Sequence, residues 1–282
     1  YAGTYQEDRL RNDWLLLVGQ RRDWAQFAEL HPQYRMSDDR EVRCYALTVD
    51  QIKGAAPAGA DEEVLRNWYA LREVDDGCTH AAAQMYASKR IKAADVWRKA
   101  RLAAEANRSR VVQNAVEIVA PEALPLLRDV LGSPAKFLAS RATAGGKVRQ
   151  ELIGLALIKM AMSDLATTAQ LLDAKWGVQL SAEERNWVWG VIGKQSAIAL
   201  SGDALGYFAN VTKDSDLTDD MLGWKVRAAL RAGQWKVAGR AIDAMSPEAR
   251  SEPTWTYWKA RTMLAQRPGD DDRAEIKKLL ER

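Results

Sequence analysis

Apolar residues recur along this chain with the spacing of an amphipathic helix. They stand three or four positions apart between residues 42 and 52, and again between residues 235 and 245. This spacing places apolar side chains on one face of a helix. We find no convincing strand pattern and no Asn-Gly hairpin signal. The sequence therefore predicts an all-α fold with roughly sixteen short helices and brief turns.

Residues that start and stop helices punctuate the chain. Ser181 stands three positions before Glu184, which is the spacing of a capping box, and Ser133 and Ser246 each precede a proline suited to a first helical turn. Glycines close apolar stretches where helix ends are expected, namely Gly19, Gly132, Gly177, Gly202 and Gly233. Segment 146–162 is apolar almost all round, so we expect it to be sandwiched between other helices.

Tryptophans mark a repeat. Trp258 follows Trp224 by 34 residues, and Trp224 follows Trp187 by 37. Two helices per period of about 34 residues are typical of a tetratricopeptide-like solenoid. We therefore predict that residues 1–282 form a single α-superhelical domain, a right-handed superhelix of short helix pairs. The stretch 54–63, rich in Ala and Gly, is predicted to be its loosest part.

The recurring tryptophans have two interpretations, ligand platform or packing material. A tryptophan that returns once per repeat is more often packing. We interpret Trp224, Trp235 and Trp258 as core residues. Because Trp255 lies at a predicted helix start, we expect it to be partly exposed.

Composition and motifs exclude several classes of function. The net charge of +3 gives no indication of nucleic-acid binding. The longest apolar run, residues 152–162, is too short to span a bilayer. The chain has no Gly-rich phosphate loop, no Gly-x-Ser-x-Gly elbow and no His-Glu-x-x-His motif. His31 and His80 are its only histidines, and we expect both at the surface. We predict no cofactor.

Two acidic clusters and two cysteines remain as candidate chemistry. The clusters at 214–220 and 269–273 precede predicted helices, where carboxylates favour the positive end of the helix dipole. The spacing of Cys44 and Cys78 leaves a disulfide and two separate buried thiols both open. A zinc site would need two more ligands, and only His80 is nearby, so no metal is predicted.

Several stretches, in this order, resemble a known family. They are DRLRNDWLLLVGQRRDWAQF (8–27), DDREVRCYALTVDQIKG (38–54), the second cysteine at position 78, and KAADVWRKA (92–100). Together they resemble the N-terminal superhelical region of the soluble lytic murein transglycosylases of Gram-negative bacteria. WTYWKARTMLAQ (255–266) is similar to a repeat late in that superhelix. The Arg-Asn-Asp-Trp stretch and the two cysteines are the most specific parts.

The resemblance implies a periplasmic protein whose superhelix forms a horseshoe or ring, with a disulfide between Cys44 and Cys78. In this family an attached lysozyme-like C-terminal domain cleaves between N-acetylmuramic acid and N-acetylglucosamine. One glutamate acts as general acid and base, and the product is a 1,6-anhydromuramyl end. The family's catalytic Glu-Ser pair does not occur in this sequence. We therefore expect a superhelical portion, truncated at both ends relative to the family and without a catalytic residue of its own.

Two functions of different class are compatible with these observations. In the first, the chain guides or holds peptidoglycan glycan strands and positions a C-terminal catalytic domain that it does not contain. Basic residues on the first helix of each pair would then meet the carboxylates of the peptide stems, and the candidates are Arg185, Lys225, Arg227, Lys259 and Arg261. In the second, the chain is a generic helical-repeat adaptor for a peptide or a partner protein. Neither function involves nucleic acid, a cofactor or a membrane span.

Overall fold

The computed structural model describes residues 2–143, 145–266 and 269–281. Over these residues the chain forms eighteen α-helices and no strand, which confirms the all-α prediction. The chain divides into two compact units, Tyr1–Arg128 and Asp129–Arg282. The single superhelical domain stays a prediction. In the described part of the chain, no helix has the length and apolar character needed to cross a membrane.

Eight helices begin in the first unit. They are α1 (Tyr5–Gln20), α2 (Trp24–Leu30), α3 (Arg40–Ile52), α4 (Ala60–Ala70), α5 (Gly77–Ala87), α6 (Ala93–Glu105), α7 (Ser109–Val119) and α8 (Leu124–Gly132). Neighbours along the chain pack together, as α1 does with α2, α3 with α4, and α6 with α7. Helix α3 also packs against α1 and α5. Packing of each helix mainly on near neighbours is what a helical repeat produces.

The Arg-Asn-Asp-Trp stretch has a structural role in this unit. Asn12 of α1 donates a hydrogen bond at 3.1 Å to Asp39, which is the N-cap residue of α3. Asp8, one turn earlier, is buried and accepts two backbone N–H groups, from Arg35 at 3.0 Å and from Met36 at 2.7 Å. These bonds fix the segment that leads from α2 into α3.

Ten further helices belong to the second unit. They are α9 (Pro134–Ser140), α10 (Lys147–Ala161), α11 (Leu165–Leu171), α12 (Ala182–Ile198), α13 (Ala204–Phe208), α14 (Asp219–Arg231), α15 (Trp235–Asp243), α16 (Pro247–Arg250), α17 (Pro253–Ala265) and α18 (Asp270–Leu280). Helix α10 packs against α9, α11 and α12, and its residues 151–158 are all buried. This confirms that the apolar segment is sandwiched.

Two of the predicted helix caps are present, and the predicted loop is shorter than expected. Ser181 and Glu184 form the capping box, since each side chain accepts the other's backbone N–H, at 3.2 Å and 2.7 Å. Ser246 likewise caps α16 through the amide of Ala249 at 3.2 Å. The stretch 54–63 is loop only in its first part, because α4 begins at residue 60 with three acidic residues in its first turn.

Candidate functional site

A disulfide joins Cys44 of α3 to Cys78 of α5, with the two Cα atoms 5.0 Å apart. This is the pairing that the family resemblance implies. Both cysteines are fully buried. The Glu41 carboxylate accepts two backbone N–H groups at the start of α5, at 2.8 Å and 3.0 Å, so the same two helices are also joined by hydrogen bonds. Neither sulfur is free to bind a metal, which removes the zinc alternative.

The expectation that both histidines lie at the surface holds only in part, since each is half-buried against an aromatic ring. The His31 ring stacks on Phe27 with centroids 5.5 Å apart, and the His80 ring lies 5.9 Å from Trp24. Burial lowers the pKa of both imidazoles. Both rings therefore contribute to the packing of the first unit.

The structure places the five predicted basic residues on three helices of the second unit. Arg185 lies on α12, Lys225 and Arg227 on α14, and Lys259 and Arg261 on α17. Two of them form ion pairs: Lys225 Nζ lies 2.6 Å from Asp214, and Lys259 Nζ lies 2.7 Å from Asp243. A cation that already has a carboxylate partner has less charge to offer a ligand.

Arg227 has the most distinctive surroundings of the five. Its guanidinium lies 4.9 Å from the centroid of the Trp224 ring and 5.2 Å from that of the Trp255 ring. These cation–π contacts restrict the guanidinium, and no described residue accepts a hydrogen bond from it. By contrast, Arg185 donates to the carbonyl of Gly177 at 3.3 Å, and Arg261 is exposed.

This contact also corrects the interpretation of the tryptophans. Trp255, expected to be partly exposed, is buried at 9% exposure. Trp224, Trp235 and Trp258, interpreted as core, are only half-buried. The exposed Arg227 side chain lies over the half-buried Trp224 ring.

The acidic cluster at 214–220 does more than favour the start of α14. Asp219 accepts hydrogen bonds from the backbone and hydroxyl of Ser246 at 2.8 Å and 2.7 Å. Asp216 accepts from the buried Asn186 amide at 2.8 Å. The interpretation of this cluster as helix-dipole chemistry alone was therefore incomplete. Asp219 also links α14 to the start of α16, and Asp216 links the segment before α14 to α12.

A cavity of about 790 Å³ is lined by α13, α14, α15 and the segment after α13. Its apolar lining includes Leu205, Phe208, Val211 and Val237, and its polar lining consists of Thr212, Asp214, Lys225, Gln234 and Arg240. Lys225 is the one sequence-predicted basic residue that lines it. Sequence reasoning missed Arg240, since nothing in the local pattern of α15 distinguishes it from other exposed basic residues.

A second cavity, of about 560 Å³, lies in the first unit among α3, α4 and α5. Its two arginines both have carboxylate partners: Arg90 pairs with Asp61, and Arg22 pairs with Asp76. The cavity in the second unit is therefore better suited to an anionic ligand.

The described residues form an all-α fold of packed neighbouring helices, and solved structures with a similar fold exist. It is similar to an inactive variant of the lytic transglycosylase Slt from Pseudomonas aeruginosa, with 20% identity and a TM-score of 0.55 over 97% of this chain and 44% of that chain. The 70-kDa soluble lytic transglycosylase Slt70 from Escherichia coli aligns over the same shares at 15% identity and a TM-score of 0.46. A complex of the 70-kDa soluble lytic transglycosylase with bulgecin A aligns at 15% identity and a TM-score of 0.45, over 97% of this chain and 44% of that chain.

At this identity the likeness to the Pseudomonas structure shows a shared fold. It agrees with the resemblance noted in the sequence. The chain spans 44% of the length of the solved structures it matches. No family model matches the chain, and no curated protein does.

Proposed function

We propose that this chain is the superhelical scaffold portion of a periplasmic peptidoglycan lytic transglycosylase. The observation that carries the proposal is the similarity in fold to the Pseudomonas lytic transglycosylase over 97% of the chain. The resemblance of residues 8–27 and of the two cysteines to the same family supports it independently. In this role the chain guides or holds glycan strands and positions a catalytic domain that lies outside it.

The disulfide supports the periplasmic part of the proposal. Disulfides form and persist in oxidising compartments and are rare in the cytosol. The bond between Cys44 and Cys78 is fully buried and fastens the start of α5 to α3. A protein that depends on such a bond is suited to the periplasm.

Arg227 is the strongest candidate for contact with peptidoglycan among the five basic residues. Peptide stems carry carboxylates, and a guanidinium binds a carboxylate through two parallel hydrogen bonds. The cation–π contacts with Trp224 and Trp255 restrict the guanidinium before a ligand arrives. Less side-chain entropy is then lost on binding, which favours affinity.

Sedimentation with purified sacculi tests the proposal. The oxidised chain should pellet with sacculi, and Arg227→Gln should weaken binding roughly tenfold, since a charged hydrogen bond contributes about 1.5–3 kcal/mol. Arg250→Gln is the matched control, because Arg250 is an exposed arginine of the same unit on α16. It should bind like the unmodified chain.

The adaptor alternative predicts a different result. An adaptor would remain in the supernatant with sacculi and would bind a peptide or protein partner instead. Absence of pelleting, or equal weakening by Arg227→Gln and Arg250→Gln, would count against the scaffold proposal.

A further inference from the structure

We propose that the cavity among α13, α14 and α15 binds the terminal carboxylate of a short peptide with methyl-sized side chains. In the setting of the proposed function, on which the identity of the ligand rests, that peptide is the end of a peptidoglycan stem. The site is separate from Arg227, which does not line the cavity although it lies on the same helix as Lys225.

The charges of the cavity favour a monoanion. Lys225 and Arg240 bring two positive charges, and Asp214 brings one negative charge. Lys225 has a side chain only 10% exposed and gives one of its N–H groups to Asp214 at 2.6 Å. An ammonium has three donors, so two remain for a ligand or water. One net positive charge in a partly enclosed site matches one carboxylate.

Arg240 supplies the charge that is not neutralised. Its side chain is exposed, lines the cavity, and has no hydrogen-bond or ion-pair partner among the described residues. Its guanidinium can present two N–H groups to one carboxylate, a geometry that lysine cannot provide. Arg240 would therefore hold the carboxylate, with Lys225 contributing from the buried side.

The rest of the lining suits a peptide with small side chains. Leu205, Val211 and Val237 are partly exposed and form an apolar wall for methyl groups. The Gln234 side chain has no partner in the described part of the chain, and its amide can both donate to and accept from a peptide backbone. A volume of about 790 Å³ lies within the range of small-ligand sites, so a terminal dipeptide fits together with water.

Calorimetry with two matched probes tests the inference on the full chain. The probes are diacetyl-Lys-D-Ala-D-Ala with a free terminal carboxylate and the same peptide with a terminal carboxamide. We expect the carboxylate form to bind at least about tenfold more tightly, the equivalent of one charged hydrogen bond. Equal affinity for the two forms, or no binding of the carboxylate form at millimolar concentration, would overturn the inference.

Variants then locate the binding. Arg240→Gln should weaken binding of the carboxylate peptide about tenfold and leave binding of the carboxamide peptide unchanged. Lys236→Gln is the matched control, since Lys236 is exposed on the same helix but does not line the cavity. Ala209→Trp, which adds bulk at an exposed lining position, should weaken binding without affecting the circular dichroism spectrum. Unchanged affinity in Arg240→Gln would refute the assignment.

This test is separable from that of the proposed function. If the chain pellets with sacculi but does not distinguish the two peptides, the scaffold proposal stands and the cavity assignment fails. If the chain binds the carboxylate peptide through Arg240 but does not pellet with sacculi, the cavity assignment stands and the scaffold proposal fails.

Discussion

Removal of the disulfide between Cys44 and Cys78 should destabilise the first unit strongly. The bond closes a loop of 34 residues. In the chain-entropy model, a loop of that length reduces the entropy of the unfolded chain by an amount worth about 4 kcal/mol at 25 °C. Both cysteines are fully buried, so replacement by alanine also removes packing, at about 1 kcal/mol for each sulfur. Cys44→Ala and Cys78→Ala should therefore each cost about 5 kcal/mol.

The double variant distinguishes a bond from two independent core residues. Because both single changes remove the same bond, the double change should cost only about 1 kcal/mol more than either. Urea unfolding followed by circular dichroism gives the three free energies, and reduced protein with intact cysteines should lose about 4 kcal/mol. Thiol titration of the unreduced, unfolded chain should find no free thiol. Strictly additive single variants, or stability that does not respond to reductant, would show that the two cysteines do not act as one bond.

Three further predictions concern helix ends and close packing. Lys99→Met should lower the free energy of unfolding of the first unit by about 2–4 kcal/mol, measured by urea unfolding. The reason is that the Lys99 Nζ donates hydrogen bonds to two backbone carbonyls at the end of α4. A loss below about 1 kcal/mol would count against this role. Gly193→Ala should cost about 1–3 kcal/mol, since a Cβ there would lie 2.8 Å from the Phe208 ring, and a neutral outcome would mean that α13 moves freely. Burial raises the pKa of Glu184, but the Lys147 ammonium and the capping amide outweigh it and hold the pKa below its usual value. The resulting stability is present above the unfolded-state pKa of about 4.3 and is lost as the pH falls through the lower folded-state pKa. The urea midpoint of Glu184→Gln should therefore depend less on pH, below about 4.3, than that of the unmodified chain. The same pH dependence of the midpoint in both proteins would contradict the lowered pKa of Glu184.

Local patterns in the sequence predict the helices well because their causes are local. The apolar spacing within 42–52 corresponds to α3, and the all-round apolar segment 146–162 corresponds to the sandwiched α10. The capping box at Ser181 involves groups three residues apart, so it can be recognised without tertiary structure. The cysteine spacing was compatible with more than one state, and only the family resemblance implied the bond.

The candidate site depends on contacts that no local pattern encodes. Arg227 and Trp255 are 28 residues apart and meet only because α14 and α17 lie near each other. Burial of the tryptophans was mispredicted for the same reason. How far a tryptophan is buried depends on which helix or side chain lies over its ring, and helical spacing does not reveal that contact. Arg240 becomes a candidate only when α13 and α15 enclose a cavity beside Lys225.

The proposed scaffold role requires that the chain alone binds peptidoglycan through its peptide stems. The measurement is a sedimentation isotherm of the oxidised chain with sacculi, before and after enzymatic removal of the stem peptides, at low and at physiological salt. We expect binding to intact sacculi, weakened about tenfold when the stems are removed and weakened further by salt. Equal binding to intact and stripped sacculi, or no binding above that of an unrelated helical protein, would contradict the scaffold role.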